Sequence, residues 1–134
     1  MINNNDIQEA IVAKLKANGN LTAALATSLE IRESQFQGVD YAYPCVRVKL
    51  GTQVPQIPDC PIYSMPFTIQ AMSEKDSSKE ANQIAYLVSE AIKKGFTYKT
   101  VKFVMVHRSL VDAIRRDERT WLAEVQYASL VQDV

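Results

Sequence analysis

Acid–base or nucleophilic chemistry in this chain would have to run through one imidazole, because His107 is its only histidine. Such a base needs a nucleophile and an orienting group within hydrogen-bond reach. His107 instead falls within the apolar-rich stretch Val101 to Leu110, on the alternation face of Phe103 and Met105. A satisfied or edge-exposed strand histidine is the plainer reading. The two thiols, Cys45 and Cys60, have no companion pair or nearby histidine, which falls short of zinc ligation. They are expected to be reduced and unbridged. A magnesium-dependent nuclease would need converging carboxylates. Asp112, Asp117 and Glu118 are close in sequence but surround a turn with Arg115, Arg116 and Arg119, where turn stabilisation and surface pairing account for them. Glu30 and Glu33 have opposite parity and point to opposite faces. There is no Gly-x-Ser-x-Gly elbow and, with 4 glycines, no phosphate-cradling loop. These residues predict no catalytic centre, no cofactor and no metal.

The elements around them are those of one ordinary domain. A chain of 134 residues with 47% apolar and 22% charged side chains can bury a real core without staples. Net charge is zero, with 15 basic and 15 acidic residues, which argues against a protein built to grip nucleic acid through phosphates. The start, Met1 to Asp6, lacks a basic region and an apolar run, so no secretory signal is expected, nor is any membrane span. The expected compartment is a reducing cytoplasm.

Asn5 or Asp6 can cap a first helix whose stripe is Ile7, Ala10, Ile11 and Leu15, with Asn18-Gly19 ending it. Leu25, Thr27, Leu29 and Ile31 then alternate as a half-buried strand. Cys45 to Leu50 is a second strand, with Val46, Val48 and Leu50 inward. Gly51 to Pro61 holds Pro55, Pro58 and Pro61 and is expected to be a loop without regular structure. Pro66 to Met72 puts Phe67, Ile69 and Ala71 on one face. A helix over 78–94 buries Ala81, Ile84, Ala85, Val88, Ala91 and Ile92. Ser77 to Glu80 supplies the capping-box spacing before it, and Gly95 the stop after it. Val101 to Leu110 is apolar on both faces, which predicts a central strand covered on two sides. After the turn Arg115–Arg119 comes a strand with Trp121, Ala123, Val125 and Tyr127 on one face. The sum is an α+β two-layer sandwich over residues 1–134: a mainly antiparallel sheet of about five strands with two helices packed on it.

The residues that core packing explains least are the aromatics of the polar segment 34–44: Phe36, Tyr41 and Tyr43. They either fold back on the core or anchor a partner. Ile57 and Tyr63 in the segment 51–64, and Arg115 and Arg116 at the hairpin, complete the candidate protein interface.

The ordered set resembles the tail terminator (tail completion) proteins of long-tailed bacteriophages. The matching features are Ile7-x-x-Ala10-Ile11 in an opening helix and a Tyr-Pro strand start at Tyr43-Pro44-Cys45-Val46-Arg47-Val48. They continue with the strand Phe67 to Ser73 leading to the helix Ala81 to Ile92, and a closing hairpin with Asp117-Glu118-Arg119-Thr120-Trp121. The long loop Gly51 to Pro61 departs from the family pattern, as does its lack of an acidic run. The resemblance implies a structural virion protein, not an enzyme. Such proteins form a ring of about six copies, a closed heterologous assembly. The ring caps the tail tube, stops its polymerisation and joins the tail to the head neck. Implied partners are further copies of the chain, the tail tube protein and a neck or head-completion protein. Genomic DNA would pass through without sequence-specific binding. Assembly would take place in the host bacterial cytoplasm. The nearer alternative is a head-side neck or stopper protein; the farther one is a small phage nuclease or hydrolase.

Overall fold

The computed structural model describes residues 1–25, 30–33 and 42–134. Helix α1 (Asn4–Lys16) buries Ile7, Ala10, Ile11 and Leu15, the stripe its spacing predicts. Its cap is Asn3, whose side chain accepts the Asn5 N–H at 2.9 Å, rather than the expected Asn5 or Asp6. Asn18 does not simply end the helix. Its side chain accepts the Leu21 N–H at 3.0 Å and so caps a second helix, α2 (Gly19–Ala24). Leu25 is therefore a helix C-cap rather than the start of a strand. Of the strand expected over 25–31, Thr27 and Leu29 lie outside the described residues. The strand found there is β1 (Ile31–Glu33).

The remaining elements are β2 (Cys45–Leu50), β3 (Val54–Pro55), β4 (Ile62–Ser64), β5 (Phe67–Ser73), α3 (Lys79–Ala91), β6 (Phe96–Tyr98), β7 (Val101–Arg115) and β8 (Trp121–Asp133). They form one curled sheet of 8 strands, where about five were expected, and the described residues include three helices rather than two. The excess comes from short pieces that weak local patterns hide. The proline-bearing segment, for example, is not wholly irregular: Val54 pairs Ser64 and Pro55 pairs Tyr63. Only β1 runs parallel to its neighbour β2. One edge of β8 pairs β5 through residues 121–127 and β4 through 130–132, while β7 runs along its other edge.

Side chains alternate across these strands, so one sheet face gathers Val46, Val48, Phe67, Ile69, Ala123, Val125 and Tyr127, all buried. Against this face α3 lays Ala81, Ile84, Ala85 and Val88, as the periodicity predicts. Tyr127 stacks on Phe67 at 4.6 Å between ring centroids, and its hydroxyl donates to the Ile92 carbonyl at 2.7 Å. That bond satisfies an orphan carbonyl at the helix end. Burial raises the Tyr127 pKa above its ordinary value.

Both ends of α3 differ from expectation. Ser78 is the N-cap but makes no side-chain cap bond. Glu80, the intended box partner, accepts instead from Ser73 Oγ at 2.7 Å, tying the helix to the end of β5. The helix stops at Ala91, before Gly95. Gly95 serves a close approach: a Cβ there would lie 2.4 Å from the Phe103 carbonyl oxygen, so only glycine lets the chain pass β7.

Candidate assembly surface

Strand β7 positions the residues that matter, and it is unlike the covered central strand expected. It is longer, running to Arg115, and past Phe103 it is exposed except at Val106 and Ala113. Register explains why. Phe103 pairs Val131 while Met105 pairs Leu130, so Val104 is an extra residue, a bulge. A bulge shifts alternation by one residue. Val106, Arg108 and Leu110 therefore take over the face that Phe103 begins, and Met105, His107, Ser109 and Val111 turn to the other. The expectation that His107 shares a face with Phe103 is corrected by this one residue. A second irregularity lies between Val111 and Ile114.

On its outer edge β7 pairs β6 only through Val101 to Phe103. Among the described residues no strand pairs that edge from Val104 to Arg115. The free edge carries large apolar groups: Met105 is 53% exposed, Leu110 55% and Ile114 60%, with Val104 and Val111 also exposed. Open edges are ordinarily blunted by short length, lysine or proline; the stretch from Val104 to Val111 has neither lysine nor proline. Helix α3 reaches the strand at two points. Arg108 Nη1 donates to the Ser89 carbonyl, and Asn82 both donates to Asp112 Oδ1 at 2.9 Å and accepts the Ala113 N–H at 2.9 Å. The exposed Tyr86 lies on α3 between those two ties.

The sheet face opposite the helices is open and polar. Lys49, Thr68, Gln70, His107, Glu124 and Gln126 line a shallow concavity there. At the other end of that face Cys45 and Arg47 are buried. Burial raises the Cys45 pKa, opposed by the neighbouring Arg47, so the thiol stays protonated and a poor nucleophile. Cys60 is a separate free thiol in the loop before β4. Among the described residues no group of His, Cys, Asp or Glu could hold a metal ion, and no helix is long and apolar enough to cross a membrane.

The sequence-derived interface candidates scatter over this frame. Phe36 and Tyr41 lie outside the described residues. Tyr43 is half-buried beside the hairpin tip, and loss of solvent raises its pKa. Tyr63 is half-buried and packs on the core, whereas Ile57 is 62% exposed at the apex of the segment between β3 and β4. Arg115 and Arg116 turn back on their own chain. Arg115 donates to the Asp117 carbonyl at 3.0 Å and to that of Glu118, and lies 5.4 Å from the Trp121 ring centroid. Arg116 Nη1 reaches Met72 Sδ at 2.9 Å. The β7 edge was missed because an apolar pattern on both faces fits a doubly covered strand as well as an uncovered one.

No protein-family model matches this sequence, and no curated protein matches it. Among solved structures the chain is similar to one described as "Virion of native gene transfer agent (GTA) particle". The two share 18% identity over 93% of this chain and 93% of that one, with a TM-score of 0.66. At that identity the likeness is one of fold.

Proposed function

We propose that this chain is a structural protein of a phage-like virion, and within it a tail terminator: a ring that caps the tail tube and joins it to the head. The observation that carries this reading is the fold shared with a chain of a gene transfer agent virion over 93% of both lengths. The free apolar edge of β7 supports it physically. A monomer rarely leaves a long hydrophobic strand edge uncovered, and a ring-former needs such surfaces. The sequence motifs at Tyr43-Pro44 and Asp117 to Trp121 point the same way.

A tube is an open helical or stacked assembly that grows until something binds its end without renewing the same surface. About six copies would do this as a closed ring, with the tube protein on one side and a neck protein on the other. The open polar concavity around Thr68, Gln70 and Gln126 carries few charges, so a DNA duplex could pass such a wall without sequence-specific grip. No residue is assigned a catalytic role. Electron micrographs of a lysate lacking the protein test the reading. Full heads beside unjoined tails of irregular or excessive length are expected. Normal-length, capped tails beside leaky heads would replace it with the head-side neck protein, and a defect in DNA processing alone with an enzyme.

A further inference from the structure

A closed ring needs two different sticky surfaces on each copy, and the described residues offer two. Apart from the terminal Met1 and Val134, the exposed large hydrophobics fall into two groups. One runs along β7 at Val104, Met105, Leu110, Val111 and Ile114, with Tyr86 of α3 beside it. The other is Val54 and Ile57, on β3 and the loop after it. These groups lie on opposite sides of β8: β7 pairs one of its edges, whereas β4, which carries β3, pairs the other. Their charges are complementary as well. Strand β7 holds Lys102, Arg108 and Arg115 against Asp112, while the only charge in Gly51 to Pro61 is Asp59.

We propose that the β7 edge of one copy receives the Val54–Ile57 segment of the next copy. This rests on the ring reading above and names its surfaces. Pro55 and Pro58 deprive the segment of backbone donors, so it cannot continue the sheet as a regular added strand. It instead presents side chains. Ile57 packs against Leu110 on the helix-side face of the edge, beside Tyr86, with Asp59 at the cationic rim near Arg108. The contact is heterologous, since a patch at one sheet edge meets a different patch at the other, and repetition with rotation closes it.

Two substitutions test it, Ile57→Asp and Leu110→Asp, both at exposed positions, with thermal melts confirming that each variant folds. Tyr86→Asp, also exposed, replaces Leu110→Asp if the latter does not fold. Native mass and light scattering are the readouts. Wild type should form rings, and each variant should lose them through association weakened about 30-fold or more, the size typical of a central interface side chain. Mixed one to one, the variants should form a dimer and nothing larger, because each retains the patch the other lacks. Loss of rings in Leu110→Asp but not in Ile57→Asp overturns the pairing, as does a mixture without dimer or a wild type that stays a single copy at its highest soluble concentration. Tail length separates the two readings. Rings built through these patches whose loss leaves tails normal would sink the terminator role and keep the pairing. Normal tail capping by variants that still form rings would do the reverse.

Discussion

The two edges of strand β8 divide the molecule into a closed region and an open one. Toward β5 and β2 the sheet is roofed by α3 and α1, and its inward residues Val46, Ile69, Ala123 and Val125 are completely buried. Toward β7 the same face continues through Val106, Arg108 and Leu110, where α3 hydrogen-bonds the strand through Asn82 and the Ser89 carbonyl and leaves Leu110 mostly exposed. The residue types hardly change across this line; what changes is the cover. Apolar side chains on the closed side stabilise the fold by leaving water. On the open side the same chemistry is unspent, and it is available to a partner.

The largest effect expected from this division comes from one pair of residues. Val125 and Leu110 are register partners on the same face of adjacent strands, one fully buried and the other mostly exposed. Val125→Asp would bury an unpaired charge and cost several kcal/mol, on the order of the whole stability of a small domain. Leu110→Asp should change the unfolding free energy of the monomer, read from urea melts, by no more than roughly 0.5 kcal/mol, as surface changes do. Equal destabilisation by the two would mean that the β7 edge is covered within the subunit, and the contrast would fail.

How much was legible in the sequence follows the same line. The α1 stripe, the α3 face and the alternation of β8 are plain because each element buries one face, and a single period records it. In β7 the extra residue Val104 leaves no signature of its own. Two-sided apolarity there reads as burial when it marks an edge. Asn18 looks like a helix stop because the cap of one helix and the end of another share residue types. Glu80 stands at capping-box spacing yet is captured by Ser73, a tertiary contact that local pattern cannot contain. Among the site residues Ile57 is as exposed as its loop suggested. Arg115 is engaged by its own hairpin and the Arg116 side chain by Met72 of β5, a tertiary contact for which sequence offers no sign.

A middle-sized effect sharpens where the boundary is built. Gly95 lies against the Phe103 and Val104 carbonyls, at the bulge that turns β7 outward. Gly95→Ala would place a methyl group 2.4 Å from backbone oxygen that cannot swing away as a side chain would. Overpacking of this kind costs about 1–3 kcal/mol, so the melting temperature should fall clearly. Amide exchange should quicken first near the bulge and leave α3 protected. An unchanged melt would show that the approach is easily relaxed and that the bulge does not depend on it.

The smallest effect belongs to the tip of the open hairpin. Asp117 accepts the Arg119 N–H at 2.9 Å and the Thr120 N–H at 2.8 Å. The Arg119 backbone bond is the leading cause that holds its pKa below the ordinary value. A depressed folded pKa means that the carboxylate's contribution is complete above the unfolded value, about pH 4, and is lost as pH falls through the lower folded value. The stability gap between wild type and Asp117→Ala should therefore be flat from neutral pH to about 4 and narrow below it. It should also be small, because the group is wholly exposed and screened. A gap that widens on acidification would reverse the sign and remove the carboxylate from the turn. A large, flat gap at every pH would instead make the tip part of the closed region, held by packing rather than by its own hydrogen bonds.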